Sequence, residues 1–177
     1  MSKLQNVLML VGLLALSACA HNAMSKAANL AVDEKVSISA PAAKVWAKVQ
    51  NFGDLGTFHP AVAKTEILSG ANNQTGAVRL LTLQDGGTVK ETLTAYDTKA
   101  MTYSYVINES VLPVSHYAAK IMVKPTSATT SEVIWTANFA RKDPSDTPAK
   151  GQDDQSATDT IHAVFQGGLN NLKKITE

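Results

Sequence analysis

The chain has a single cysteine, Cys19, in 177 residues, so it can close no internal disulfide and build no cysteine-rich metal cluster. An excess of charge of either sign is also missing. The 16 Lys and Arg stand against 15 Asp and Glu, and the basic residues are scattered. A chain balanced in this way has no long-range field to gather phosphate backbones, which argues against nucleic acid as a partner. No apolar run approaches the roughly 20 residues that a membrane-crossing helix needs. The four histidines show no H-x-x-x-H spacing, so neither a metal nor a cofactor is expected. The G-x-S-x-G elbow, the phosphate-binding Walker loop and the G-x-G-x-x-G turn are all missing as well. Aromatics are scarce, at 6%, which makes the position of each one informative.

What is present begins at the N-terminus. Residues 7–18, VLMLVGLLALSA, follow Lys3 as an uninterrupted run of apolar and small residues. The run is too short to span a bilayer but suits the hydrophobic core of a secretory signal. It ends in Leu16-Ser17-Ala18-Cys19, which resembles the lipobox of bacterial lipoproteins. The resemblance implies that residues 1–18 are removed and that Cys19 is acylated. Ala20, rather than Asp, follows the cysteine, which in such proteins implies the outer membrane, with the domain facing the periplasm. Attachment then comes from the N-terminal lipid and not from a basic face. The alternative is an ordinary signal peptide with a coincidental cysteine. Residues 19–32 read as the lipidated cysteine and a small, alanine-rich tether, and 33–177 as one folded domain without internal repeats.

Within that domain a β-branched strand is predicted at 33–39 and a helix after Pro41, with Ala42, Val45, Trp46 and Val49 on its buried face. A second short helix or turn is predicted at about 52–58. Strands follow at about 62–69, 76–84, 88–96, 100–107, 115–125 and 131–140. Residues 142–155, KDPSDTPAKGQDDQ, read as a loop. The last helix, about 156–175, carries an apolar stripe of Ile161, Phe165, Leu169, Leu172 and Ile175. Gly167 and Gly168 interrupt it, each costing about 1 kcal/mol of helix propensity relative to alanine, which points to a close approach of sheet or ligand.

The opening VSISAPAAKVWAKVQNFGDLGTFHP (36–60) and the order of elements resemble the START-like polyketide cyclase/dehydrase superfamily over essentially all of 33–176. The resemblance implies an α+β helix-grip fold, in which a curved antiparallel sheet of about seven strands wraps a long C-terminal helix, with a cavity for an apolar ligand between them. Strand alternation places Val89, Glu91, Leu93 and Ala95 on one face, and Lys90, Thr92 and Thr94 on the other. The matching inward sets are Met101, Tyr103, Tyr105 and Ile107, and then Tyr117, Ala119, Ile121 and Val123, with His116 outside. Tyr103, Tyr105, Tyr117 and Glu91 thus become polar handles in an apolar space, and Phe165 and Leu169 are expected to close its floor, with Asn170 as a further polar contact. Both tryptophans read as core residues.

The stretches GAVRLLTLQDGGTVKETLTAYD, YSYVI, LPVSHYAAKIMV and VIWTANF also resemble the plant abscisic-acid receptors and bacterial cyclase-like relatives. That likeness puts His59 at the position of a ligand-holding lysine. It matches Glu91 and Tyr117 to polar pocket residues, and Leu81, Leu83, Tyr105 and Ile107 to pocket walls. The receptors' gate is shortened here to Gln84-Asp85-Gly86-Gly87 and their latch is replaced by Leu112-Pro113-Val114, so only the pocket carries over. Glu91 has a second reading, as a buried carboxylate paired with Arg79 or a tyrosine hydroxyl. His59 has one as an exposed loop residue.

These residues lead first to a lipid-anchored periplasmic domain that binds a small hydrophobic ligand: a lipid, a sterol-like compound or an aromatic polyketide. A cyclase or dehydrase using Glu91 and a tyrosine is the second expectation. The third is an accessory protein of a periplasmic redox system acting on a protein partner through its surface.

Overall fold

The computed structural model describes residues 29–177. The expected signal and lipobox, Cys19 included, lie outside the described residues. In chain order the elements are β1 (Leu30–Ile38), α1 (Ala42–Val49), a single 3-10 turn (Leu55–Thr57), β2 (Val62–Ser69), β3 (Val78–Leu83), β4 (Thr88–Asp97), β5 (Thr102–Ser110), β6 (Val114–Pro125), β7 (Ser131–Arg141) and α2 (Asp154–Thr176).

All seven strands form one antiparallel sheet in the order β1-β7-β6-β5-β4-β3-β2. Every neighbouring pair is a hairpin except β1 with β7, where Leu30 lies opposite Phe139 and Ile38 opposite Ser131. The sheet curls around α2, and this is the helix-grip arrangement. α2 runs along β1 in the same direction: His162 Nδ1 lies 2.5 Å from Glu34 Oε1 near its start, and Lys173 Nζ donates to the Ser37 carbonyl at 2.7 Å near its end. Its N-terminus is capped by Asp153, whose side chain accepts from the Ser156 amide at 2.7 Å, and Lys173 and Lys174 occupy its last turn.

Several expectations shift. β1 starts at Leu30 rather than 33, because Val32 is buried and Leu30 packs against the core, so the strand takes in the last residues expected for the tether. α1 does begin after Pro41, which is its N-cap and whose carbonyl accepts from Lys44 and Val45. The second short helix contracts to one 3-10 turn that follows Gly53 and contains Gly56. The apolar stripe of α2 ends on Thr176, which is buried, whereas Ile175 is 41% exposed.

Register shifts occur at five places: two lie in β2 against β3, at Ala63 and Leu68, and the other three are bulges on β4, β5 and β6. Leu93 pairs with Tyr105 and Ala95 with Ser104, so Thr94 is the extra residue of β4. Beyond it Ala95, expected inside, is exposed, and Tyr96 turns inward to stack on Tyr103 (6.2 Å, 11°). Asn108 is skipped between Lys90–Glu109 and Glu91–Ile107. The third bulge lies at His116 in β6, which adopts φ +50° between the pairs Ser115–Ala140 and Ala118–Asn138. On β7 the inward face is Val133, Trp135, Ala137 and Phe139, which the sequence pattern left open.

Bulk is distributed unevenly along the interior. Toward the end where α1 sits, Val45, Val49, Leu93, Ile121, Val123, Val133 and Leu172 are at most 1% exposed, and Trp46 lies against Tyr96 and Tyr103. At the opposite end, between the first half of α2 and the ends of β3, β4, β5 and β6, the packing opens into a cavity.

Candidate functional site

The interior cavity measures about 80 Å³. Its sheet wall comes from Leu81 and Leu83 of β3, Val89 and Glu91 of β4, Tyr105 and Ile107 of β5, Tyr117 of β6 and Trp135 of β7. The first half of α2 supplies Ile161 and Val164. The segment from the 3-10 turn to the start of β2 supplies Leu55, His59, Ala61 and Val62, and Leu112 of the β5–β6 loop closes the mouth.

The structure therefore gathers His59, Leu81, Leu83, Glu91, Tyr105, Ile107 and Tyr117 around one space. It does not bring in the other predicted residues. Tyr103 is 1% exposed and packs between Tyr96, Phe52 and Tyr105, behind the cavity. Phe165 is stacked on Trp135 (4.4 Å, 11°) and supports the wall without reaching its surface, while Leu169 lies one turn further along, in the packed half. Asn170, roughly 100° around the helix from Leu169, is exposed. Asn171 turns in instead and donates to the Phe58 carbonyl at 2.9 Å. Sequence reasoning missed Trp135, Ile161 and Val164 as lining residues, and also Val89, Leu112 and the segment residues Leu55, Ala61 and Val62. Ile161 belongs to the same continuous apolar stripe as Phe165 and Val164 stands beside it, so spacing alone did not single them out.

Glu91 is held by Arg79: Nε donates to Glu91 Oε2 at 2.6 Å, and both side chains are nearly without solvent contact. This is the pairing that the second reading of Glu91 required, and Glu91 faces the cavity all the same. Arg79 also donates through Nη1 to the Phe52 carbonyl at 2.7 Å and stacks over the Phe52 ring, 4.1 Å from its centroid. The third guanidinium nitrogen, Nη2, and the Tyr103 hydroxyl are buried without a protein partner. Burial pushes the Glu91 carboxyl above the usual carboxylate range, and the adjacent guanidinium opposes that shift.

The three inward tyrosines are all pushed upward, chiefly by burial. Their phenols therefore stay protonated and serve as hydrogen-bond donors, not as bases. Trp135 Nε1 donates to the Tyr105 hydroxyl at 3.0 Å, leaving that hydroxyl its own proton to give.

His59 is buried rather than an exposed loop residue. Nε2 lies 2.9 Å from the Val164 carbonyl and Nδ1 accepts from the Ala61 amide at 3.3 Å. A carbonyl can only accept, so Nε2 carries the proton and Nδ1 the lone pair. Burial lowers the imidazole pKa, which the Val164 carbonyl opposes and the Arg79 charge reinforces. With both nitrogens engaged, His59 shows the cavity a carbon edge. Gly168 makes this geometry possible: a Cβ there would stand 2.7 Å from His59 Cδ2 and 3.0 Å from Trp135. Gly167 has open space around the same position, so only one of the two helical glycines answers to close approach.

A larger, open cleft of about 490 Å³ lies outside the sheet, where β5 and β6 separate beyond the pair Val106–Ala118. It is shallow and ringed by polar groups such as Ser110, Ser115, His116 and Lys142, and Ile107 and Tyr117 form the wall between it and the interior. The smaller volume is the candidate site, because only there do apolar walls surround a few buried polar groups. His162, half-buried, pairs with Glu34 on the other side of α2. Among the described residues no group of His, Cys, Asp and Glu is arranged to hold a metal ion, and no helix is long and apolar enough to cross a membrane.

Residues 29–177 match the family described as polyketide cyclase / dehydrase and lipid transport. Among solved structures, the protein XoxI from Bacillus cereus is 24% identical with a TM-score of 0.72, over 82% of this chain and 94% of that one. An uncharacterised protein from Bacillus thuringiensis is 25% identical with a TM-score of 0.72, over 83% and 98%. The Zhui aromatase/cyclase from Streptomyces sp. R1128 is 19% identical with a TM-score of 0.66, over 84% and 94%. These likenesses establish the fold. No curated protein matches the chain.

Proposed function

For a chain that belongs to the polyketide cyclase / dehydrase and lipid transport family, we propose a binding role: the interior cavity takes a small hydrophobic ligand, and Cys19 tethers the domain by a lipid to the periplasmic face of the outer membrane. The observation that carries the binding role is the apolar space left between Trp135, Tyr117, Ile107, Leu83 and Val164 at one end of an otherwise filled interior. Protein interiors fill such space unless something else occupies it.

The volume limits the ligand. At about 80 Å³ the space is well below that of sites for drug-sized molecules. An apolar cavity of about 150 Å³ is enough for benzene. The closed space is about half of that, so the ligand is the end of an acyl chain, or a single aromatic ring that displaces Leu83 and Leu112 as it enters end-on. A whole sterol exceeds the closed volume. Protonated Tyr105 and Tyr117 suit a carbonyl or hydroxyl oxygen on that ligand, and Glu91, held by Arg79, contributes orientation rather than proton transfer. A cyclase or dehydrase would need Glu91 released from the 2.6 Å bond to Arg79, since the phenols cannot act as bases.

Native mass spectrometry of the mature chain, followed by solvent extraction, tests the binding role. The expected result is a bound mass that disappears on denaturation and is lost from Leu83→Trp, whose indole fills the mouth. A bound mass retained by Leu83→Trp, or a bare chain that takes up neither short alkanoic acids nor single-ring aromatics, would refute it.

A further inference from the structure

The place where the chain enters the fold bears on how the cavity meets its ligand. Leu30, the first residue of β1, pairs with Phe139 near the end of β7. Phe139 stacks on Tyr117 (6.0 Å, 30°), and Tyr117 lines the cavity. The same end of the sheet carries the β3–β4 turn (84–87), the β5–β6 loop (111–113) and the start of β2, which together surround the cavity mouth. The N-terminal segment therefore leaves the domain beside the mouth. α1, the 70–77 connection and the end of α2 lie at the other end.

The segment from Cys19 to the fold has no more residues than the longest strand. From Cys19 to Leu30 the chain makes eleven Cα steps, which even fully extended span at most about 38 Å. β6, with 12 residues and so eleven steps as well, runs about 37 Å from the mouth end to the opposite end. With Cys19 at a bilayer surface, the opposite end could face that surface only if the tether lay fully stretched along the whole domain. The mouth end can face it at any tether extension.

The mouth carries one exposed apolar side chain suited to such contact and the opposite end two, Leu68 and Ile175, so the position of the anchor and not exposed apolar area selects the end. Val111 is 54% exposed, and its Cγ2 lies 2.9 Å from where a Cβ on Gly87 would stand, so the two rim loops touch. Leu112 and Leu83 lie half-buried beneath it and line the cavity. The neighbouring charges are mixed: Asp85, Lys142, Asp143, Asp146, Lys150 and Asp153 form no positive patch. Contact through this end would draw on the anchor and the apolar rim, not on anionic headgroups.

We propose that the domain rests with its cavity mouth against the membrane into which Cys19 is lipidated, with Val111 inserted among the lipids, so that the ligand passes from the bilayer into the cavity without crossing water. This inference rests on the lipoprotein reading of Cys19.

Because Cys19 is the only cysteine, the mature chain can be coupled through it to a maleimide-bearing lipid in phosphatidylcholine vesicles. Val111→Trp reports the mouth, and Leu68→Trp, at a residue 51% exposed near the far end of β2, reports the opposite end. With brominated acyl chains, the indole emission gained in Val111→Trp should fall by about half, while that gained in Leu68→Trp is unchanged. Equal quenching in both variants, quenching in Leu68→Trp alone, or quenching in neither would overturn the orientation. Hydrogen exchange on the coupled wild-type chain needs no substitution: slowing confined to 84–87 and 111–113 supports the proposal, and unchanged exchange there counts against it. Coupling in vitro supplies the lipid in any case. A failed orientation is thereby separated from a failed lipoprotein reading, which the mass of the N-terminal peptide from cells decides.

Discussion

The two ends of the interior share one sheet and one helix but are filled differently. At the α1 end, Trp46, Tyr96 and Tyr103 pack on one another, and Leu93, Ile121 and Leu172 have no solvent contact. At the mouth end the same strands carry Leu83, Ile107 and Tyr117, and the same helix carries Ile161 and Val164, around an unfilled space. The α1 end is closely filled, and the mouth end is left free to carry a binding site. Between them lies the Arg79–Glu91 pair, the one buried ion pair among the described residues, with Arg79 reaching Phe52 on one side and Glu91 facing the cavity on the other.

Cutting that seam should have the largest effect. Arg79→Leu leaves Glu91 buried without its partner and the Phe52 carbonyl without its donor, so a loss of about 3–5 kcal/mol is expected in denaturant unfolding. The double change Arg79→Met with Glu91→Leu should recover most of it, because replacing both ions by apolar groups removes the stranded charge. A double variant as unstable as the single one would place the instability in lost packing instead.

The contrast between the ends is sharpened by matched truncations. Leu172→Ala opens a hole in the filled half and should cost about 2–5 kcal/mol, whereas Leu83→Ala, half-buried at a mouth that already has free space, should cost less than about 1 kcal/mol. Similar losses at both sites would erase the distinction. The helical glycines offer a smaller version of the same test. Gly168→Ala pushes a methyl into His59 and Trp135 and should destabilise by about 1–2 kcal/mol even after the gain in helix propensity. Gly167→Ala meets nothing within 4 Å and should stabilise by up to about 1 kcal/mol. Melting temperatures moving in opposite directions are the expected readout.

How far the sequence carried this reading depends on the physics behind each signal. Period-two alternation and turn residues marked every strand, and the order of elements was enough for the helix-grip arrangement. Alternation assumes an unbroken pleat, however, and bulges are only visible once strands pair. The extra residue at Thr94 put Tyr96 inside and Ala95 outside against the simple pattern. The cavity walls on β4, β5 and β6 were legible because each was a side chain on a predictable face, whereas Leu81 and Leu83 of β3 came from the resemblance to the abscisic-acid receptors. The α2 contribution was not, because the apolar stripe is continuous. Nothing in its spacing distinguishes Ile161, which meets a cavity, from Phe165, which meets Trp135. His59 was legible as a site residue but not in its bonding, since its partner, the Val164 carbonyl, lies 105 residues away.

That long-range contact supports the smallest and most specific prediction. His59 is folded as a neutral imidazole with its pKa lowered from 6.5, mainly by burial. Between the folded pKa and 6.5 the unfolded chain binds a proton at this site and the folded chain does not. Stability therefore rises with pH across that window. The His59 contribution is complete above about pH 6.5 and is lost as pH falls toward the folded pKa, with a slope of at most about 1.4 kcal/mol per pH unit. His59→Gln keeps an N–H for the Val164 carbonyl and cannot titrate, so the difference in unfolding free energy between the two proteins should be constant above pH 6.5 and should shrink on acidification. Urea unfolding at half-unit steps from pH 7.5 to 4.5 measures it. A difference that stays flat throughout would mean that the imidazole accepts a proton in the folded state as readily as in the unfolded one, and the mouth end would then be wetter than its apolar lining implies.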